Sequence, residues 1–209
     1  NVTKQESTAI GYDAMRYADS AAGGAVTYNT ALGAYALRGS TTAANNTGTN
    51  NTAIGHSALT AITSGGSNVA VGALAGDSLT DGGGNVAIGA NAMSTAQSIT
   101  NSTAIGYNAL AANFSGADNT AVGAYALAAT TNYSNTAVGT AALQTNTSGR
   151  YNTAVGTGAL NSSNADSNAA FGRMAGFYIS TGAGNVAIGD HSMLGNSGSM
   201  LTGVGNTSM

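Results

Sequence analysis

The sequence has no cysteine, no proline and no tryptophan, and it carries only eight acidic and five basic residues in 209. Without cysteine, neither a disulfide framework nor a thiolate metal site is available. The charged residues are scattered singly and sum to −3. No basic stripe exists that would neutralise phosphates, so we expect no nucleic-acid partner.

Bulky side chains and long apolar runs are scarce as well. Only 6% of the residues are aromatic, and the 43% hydrophobic fraction rests largely on alanine. No apolar run approaches the roughly 20 residues of a membrane helix, so we expect no membrane insertion. Disordered chains are usually charged and rich in proline, which this chain is not. The composition therefore predicts a thin, repetitive core.

One nine-residue motif is abundant. It reads NTAVGAYAL at 119–127, NTAVGTAAL at 135–143 and NTAVGTGAL at 152–160. Alignment on the glycine gives twelve copies, which are evenly spaced except that the first two intervals are longer than the other nine. A fixed period of this kind is typical of a solenoid. The aligned glycines are Gly11, Gly33, Gly55, Gly72, Gly89, Gly106, Gly123, Gly139, Gly156, Gly172, Gly189 and Gly205.

A large apolar residue precedes the glycine in every copy, and we predict that this column faces the core. Threonine or valine usually stands two residues earlier, on the same face of a strand, and alanine between them faces the other way. The alanine and glycine columns then either form a dry outer strip or close the roll from inside. The predicted core column is Ile10, Leu32, Ile54, Val71, Ile88, Ile105, Val122, Val138, Val155, Phe171, Ile188 and Val204.

The position four residues after the glycine is leucine or methionine in ten copies. The two exceptions, Gly76 and Gly176, each have a large residue two positions earlier, Leu74 and Met174. In a strand, residues two apart share a face, so we expect these side chains to replace the missing ones. Leu79, Ile99, Phe114 and Ile179 are isolated large residues that we expect to plug the core.

The column that opens each copy is mostly asparagine. Asparagine suits tight turns, and stacked amides can form a hydrogen-bonded ladder. We therefore predict a structural turn ladder of Asn29, Asn51, Asn68, Asn85, Asn119, Asn135, Asn152, Asn168 and Asn185.

Short β-branched segments bounded by Asn, Gly and Ser are typical of strands and turns. The predicted fold is all-β, a parallel β-solenoid or β-roll of about 12 coils of 16–17 residues, each with two short strands. Residues 1–6 form an entry segment, and residues 7–209 form a single repeat domain. Longer loops are expected near 16–28 and 38–50.

No arrangement of residues indicates chemistry. His56 and His191 lie eight copies apart and cannot share a site. The run GDSLTDGGGN at 76–85 has some likeness to calcium-binding repeats, but neighbouring copies lack the aspartates that would complete a site. There is no phosphate-binding loop. We expect no catalytic, cofactor or metal site, and a protein that is not an enzyme.

The motif [N/S]-T-A-[I/V]-G-x-x-A-[L/M] resembles the head repeat of trimeric autotransporter adhesins, and still more the repeats of phage-type tail-fibre proteins and related bacterial surface fibres. The resemblance covers all twelve copies, from about Ser7 to Met209. It implies a left-handed roll and a side-by-side homotrimer. It also implies an extracellular place, on a cell surface, a virion fibre or a secreted filament.

These observations predict a structural fibre or adhesin shaft that attaches to a cell surface, glycan or matrix. The last motif, LTGVGNTSM, leaves an open coil edge, so we expect either more coils beyond Met209 or end-to-end stacking into a filament. The alternative is an ice-binding β-solenoid, which needs an outward, unbroken threonine column. Here that column is interrupted by Val69, Val86, Ala169 and Val186 and shares its face with the predicted core.

Overall fold

The computed structural model describes residues 6–18, 26–113, 115–195 and 198–205. In these ranges it forms an all-β parallel β-solenoid whose twelve strands lie in one sheet in chain order. The only helix in this part of the chain is one 3-10 turn at Ala43–Asn45. The strands are β1 (Thr8–Ile10), β2 (Thr30–Leu32), β3 (Thr52–Ile54), β4 (Val69–Val71), β5 (Val86–Ile88), β6 (Thr103–Ile105), β7 (Thr120–Val122), β8 (Thr136–Val138), β9 (Thr153–Val155), β10 (Ala169–Phe171), β11 (Val186–Ile188) and β12 (Thr202–Val204).

The predicted parallel β-solenoid is confirmed, but the predicted number of coils is wrong. Thr8 pairs with Thr30 and Thr30 pairs with Thr52, so the first two steps from strand to strand are the longest. From β3 to β12 the steps are shorter and nearly uniform. The solenoid therefore has about nine regular turns rather than the twelve short coils that the motif count predicted.

Each coil holds one strand, not the two that the sequence predicted. After the glycine, the chain alternates into the left-handed region, as at Tyr125 (φ 58°) and Leu127 (φ 50°). The Tyr125 N–H donates to the Tyr107 carbonyl of the preceding coil at 2.9 Å, and the Leu127 N–H donates to the Ala142 carbonyl of the next coil at 3.0 Å. The segment after the motif glycine is therefore not a second strand, because alternating signs of φ are incompatible with an extended chain. Its coils stack through hydrogen bonds between turns.

The motif glycine is required by its backbone and by its neighbour. Gly123 has φ of 134°, a region that residues with a side chain rarely adopt. A Cβ atom there would also lie 2.6 Å from the carbonyl carbon of Gly139 in the next coil. Stacked coils approach too closely at this corner for any side chain.

The core is a thin layer of alanine against leucine and methionine. In the seventh copy, Ala121 of β7 and Ala126 and Leu127 of the following turn are all fully buried and belong to one apolar core. Space at the centre is so limited that a Cβ on Gly203 would clash with the Met193 side chain. The strand side of the core therefore accepts at most the alanine methyl group that β1–β11 place there.

The predicted core column is wrong, because these residues face outward. A three-residue strand sends its middle side chain to one face and the two flanking side chains to the other. Only alanine fits inside, so the large aliphatic residues lie on the surface. Exposed members are Ile10, Leu32, Ile54, Ile88, Ile105, Phe171, Ile188 and Val204, and half-buried members are Val71, Val122, Val138 and Val155. The alanine column thus closes the roll from inside, the second of the two alternatives.

Two coils have glycine, Gly76 or Gly176, where the others have leucine or methionine, and they fill the core differently from our prediction. Leu74 is exposed and does not replace the missing side chain. Instead, the buried Leu79 and Ile179 lie three residues after Gly76 and Gly176. A Cβ on Gly176 would lie 2.9 Å from the Cδ1 atom of Ile179, so this isoleucine occupies the vacated space.

Of the remaining predicted core plugs, Ile99 is buried, and Phe114 lies outside the described residues. The predicted entry segment 1–6 and the loop near 16–28 are described only in part. The loop near 38–50 is described. Asn46 Nδ2 donates to the Tyr17 carbonyl at 2.8 Å, which ties the loop to the first coil, and to the Ser40 carbonyl at 2.7 Å within the loop.

Candidate interaction face

The first and third residues of β1–β12 form one continuous surface, which we call the outer sheet face. In β7 these residues are Thr120 and Val122. The strands are in register, so the face consists of two continuous rows, one of Thr, Val or Ala and one of large apolar side chains. Neighbouring strands lie about 4.8 Å apart, which makes the face about 50 Å long.

The outer sheet face carries no charged residue in any of its strand positions. Its apolar row is well exposed at many positions, with Ile188 at 42% and Ile54 at 36%. Monomeric proteins rarely expose a contiguous apolar patch of more than a few hundred Å², and larger patches mark interaction sites. The exposed apolar row therefore makes the outer sheet face a candidate interaction surface.

A buried amide ladder holds the strands of this face in register. The Asn68 backbone N–H and its Nδ2 atom both donate to Asn51 Oδ1 at 3.0 Å, and Nδ2 also donates to the Gly82 carbonyl of its own coil at 2.8 Å. The ladder therefore joins neighbouring coils and closes each coil on itself. The buried asparagines of the predicted ladder are Asn29, Asn51, Asn68, Asn85, Asn119, Asn135, Asn152, Asn168 and Asn185.

Serine continues the ladder where asparagine is absent. The Ser102 N–H donates to Asn85 Oδ1 at 3.0 Å, and Ser102 Oγ accepts the Asn119 N–H at 3.2 Å. The residue before each ladder position, such as Ser67 (φ 60°) or Ser134 (φ 60°), adopts the left-handed conformation of the turn. The ladder residues act through their side chains, by an amide at the asparagines and by a hydroxyl at Ser102.

The two histidines lie in separate surface clusters. His56 packs edge-on against Tyr35, with ring centroids 5.9 Å apart. His191 Nδ1 lies 3.0 Å from Asp190 Oδ2, which also pairs with Arg173 at 2.9 Å. Hydrogen bonds from His191 and Arg173 lower the pKa of Asp190 below its usual value. As far as the chain is described, no serine hydroxyl is hydrogen-bonded to either histidine, as a Ser–His–Asp triad would require.

The two aspartates of the run 76–85 have different environments. Asp81 accepts hydrogen bonds from Ser98 Oγ at 2.5 Å and from Thr80 Oγ1 at 3.1 Å, and these bonds lower its pKa. Burial raises the pKa of Asp77. In the described ranges, no three His, Cys, Asp or Glu side chains are grouped as metal ligands.

The outer sheet face was missed by the sequence analysis, although the sequence holds a signal for it. The position between the two outward residues is alanine in eleven copies and glycine in the last, and it never holds anything larger. Such a size limit indicates the tightest packing, whereas the flanking positions vary from alanine to phenylalanine. The size limit identifies the interior better than hydrophobicity does.

Comparisons of the chain with protein-family models, with curated proteins and with solved structures found no match. Within the described residues, no helix is long and apolar enough to cross a membrane.

Proposed function

We propose that this protein is an extracellular structural fibre or adhesin shaft that attaches to a cell surface, glycan or matrix. Three copies pack side by side through their outer sheet faces, and the coils wind left-handed. The observation that carries the proposal is the uncharged apolar row that remains exposed along the sheet. Threefold packing and handedness rest on the resemblance to trimeric adhesin and tail-fibre repeats.

A second copy of this chain is the occupant that fits the outer sheet face best. The face repeats at the spacing between strands, so parallel copies can match row against row along it. It holds no charge, and identical copies therefore approach without repulsion. Burying large apolar side chains from each copy gives about 25 cal/mol per Å² of apolar surface, which favours a permanent assembly.

The far edge of the sheet offers a further contact. β12 pairs with β11 and, among the described residues, with no other strand. An open strand edge presents unpaired N–H and C=O groups to another strand. We include in the proposal that a second copy stacks on this edge and extends the solenoid into a filament.

Native mass spectrometry of the protein and of Val138→Asp tests the side-by-side assembly. Val138 points outward, so the aspartate leaves the coil folded but places a charge in the interface, and we expect trimers for the parent and monomers for the variant. Thr140→Asp is the matched control, because Thr140 is exposed on the turn of the same coil. A parent that is a stable monomer contradicts the proposal.

Ice binding is the second candidate, and one observation favours it. The threonine row lies on the outer face rather than inside, so its position no longer argues against ice binding. The row is still interrupted at Val69, Val86, Ala169 and Val186. A face buried in a trimer cannot meet ice, so thermal hysteresis from a monomeric parent, abolished by Thr136→Lys, would favour ice binding over the shaft.

A further inference from the structure

A second surface feature lies outside the sheet, two residues before the residue that opens each motif. From the second motif copy onward, the residue at this position is small in eight copies and large or charged in three consecutive copies. The exceptions are Tyr133, Arg150 and Asp166, which are 16 or 17 residues apart and stack one above another. The small members are Thr27, Thr49, Gly66, Gly83, Thr100, Ala117, Ala183 and Ser199.

The side chains of these three coils form one cluster with a neighbouring tyrosine. The Arg150 guanidinium lies over the Tyr133 ring, 5.2 Å from its centroid, and Nη1 donates to Tyr133 Oη at 2.7 Å. The Tyr151 ring stands edge-on to Tyr133 at 6.3 Å. Tyr133 is 39% exposed and Tyr151 is 58% exposed. We call Tyr133, Arg150, Tyr151 and Asp166 the Tyr–Arg cluster.

The backbone beneath the Tyr–Arg cluster is held on both sides. The Arg150 N–H donates to Asp166 Oδ1 at 2.9 Å, and the Arg150 carbonyl accepts the Ser167 N–H at 2.9 Å. In the adjacent outer turns, Asn132 Nδ2 donates to the Ser148 carbonyl at 2.6 Å. A backbone fixed in this way loses little conformational entropy when a ligand binds to the side chains above it.

We propose that the Tyr–Arg cluster binds a neutral hexose unit of a saccharide. This inference rests on the proposed attachment function and names its ligand class and site. Arg150 lies over the Tyr133 ring, so the more exposed Tyr151 ring is the one that suits the apolar C–H face of a sugar ring. Arg150 Nη1 already donates to Tyr133 Oη and Nε is buried, so Nη2 is the nitrogen left to donate to a sugar hydroxyl, and Asp166 Oδ2 is an acceptor for another.

The charge of the cluster selects for a neutral ligand. One arginine and one aspartate balance each other, so an acidic sugar gains from Arg150 what it loses to Asp166. The site is an open platform, since the described residues enclose no pocket. An exposed platform along a rod is accessible to long surface saccharides as well as to short ones.

The solenoid provides substitutions that leave the fold unchanged. Tyr151 is left-handed (φ 58°), and the same position in other coils holds serine in that conformation, as at Ser134 and Ser167 (φ 63°). Tyr151→Ser is therefore the test variant. Tyr125→Ala is the matched control, because Tyr125 pairs edge-on with Tyr107 and the equivalent residue of the next coil is Ala141, also left-handed (φ 58°).

The experiment is saturation-transfer NMR on the whole protein with methyl glucoside, methyl galactoside, methyl mannoside, lactose and maltotriose as neutral probes, and glucuronic acid and sialyllactose as acidic probes. We expect transfer to at least one neutral probe. Tyr151→Ser should weaken that binding about tenfold or more, as truncation of an aromatic anchor does, and Tyr125→Ala should leave it unchanged. Absence of transfer to every neutral probe, equal affinity in Tyr151→Ser, or binding only of acidic probes overturns the proposal.

Native mass spectrometry of the same samples separates this site from the proposed shaft. A monomeric parent that still binds the neutral probe contradicts side-by-side assembly and supports the saccharide site. An assembled parent that binds no neutral probe overturns the site and leaves the assembly standing.

Discussion

Asn68 donates both its backbone N–H and its side-chain Nδ2–H to a single atom, Asn51 Oδ1, each at 3.0 Å. Both residues are buried, so no water is at hand to replace either the accepting oxygen or the two donors. Because unpaired buried polar groups are costly, the stack depends on every member of this ladder.

We predict that Asn68→Ala lowers the free energy of unfolding by about 2–4 kcal/mol, because it leaves the Asn85 N–H and the Gly82 carbonyl without their partners. Asn68→Ser should cost less, since Ser102 continues the ladder through its hydroxyl in another coil. Urea denaturation followed by circular dichroism measures both. Equal loss in the two variants would mean that the side-chain oxygen is not what matters.

Gly123→Ala should be among the most damaging single-methyl additions in the chain. The φ of 134° and the Gly139 carbonyl carbon at 2.6 Å together forbid the new Cβ atom. We expect a loss of about 3 kcal/mol or more in the free energy of unfolding. Gly195→Ala is the control, because nothing lies within 4 Å of its would-be Cβ atom. Thermal melts that place the two variants together would contradict the close stacking of coils.

The orientation of the strands can be tested in β8. Ala137→Leu adds bulk to the filled interior and should destabilise the protein by about 1–3 kcal/mol. Val138→Thr changes an outward side chain of nearly equal shape and, in the unassembled chain, should alter the free energy of unfolding by less than about 0.5 kcal/mol. If denaturant midpoints show the reverse order, the strand faces are exchanged.

Asp77 should make stability depend on pH. Burial raises its pKa in the folded state, so the folded protein binds the proton more tightly than the unfolded chain. Its contribution to stability is therefore favourable at low pH and is lost as pH rises through the folded pKa. Asp77→Asn should be more stable than the parent near pH 7, and this difference should shrink toward about pH 3, where the parent carboxyl is also neutral.

Urea midpoints at both pH values measure the effect, and Asp118→Asn, an exposed carboxyl on another coil, is the control. A variant less stable than the parent at neutral pH would show that the Asp77 carboxylate is stabilising.

The sequence was sufficient to predict the parallel stacking, because a fixed period with matching residues at each position leaves few other ways to pair strands. It could not decide which strand face is inside. Alternation gives two opposite assignments, and the more hydrophobic one puts Ile54 and Val138 in the core. The volume available decides against it, since the core-facing strand position is filled by small residues such as the fully buried Ala121, and a Cβ on Gly203 would already clash with Met193.

The left-handed leucines were also beyond prediction. Leu59 (φ 48°) and Leu127 (φ 50°) adopt a conformation that local sequence preference disfavours, and hydrogen bonds between coils compensate the strain. Sequence reasoning uses local preferences and therefore assigned a second strand. For the same reason it expected Leu74 to fill the core, which is instead filled by Leu79.

The amide ladder also gives the rod a direction. Each backbone bond of the ladder is donated by the later coil to the earlier one, from the Asn29 N–H to Ser7 Oγ through to the Leu201 N–H to Asn185 Oδ1. The two ends of the stack are therefore chemically different, with acceptors facing one way and donors the other. Copies that lie side by side in the same direction present like ends together, so one end of the bundle differs in chemistry from the other.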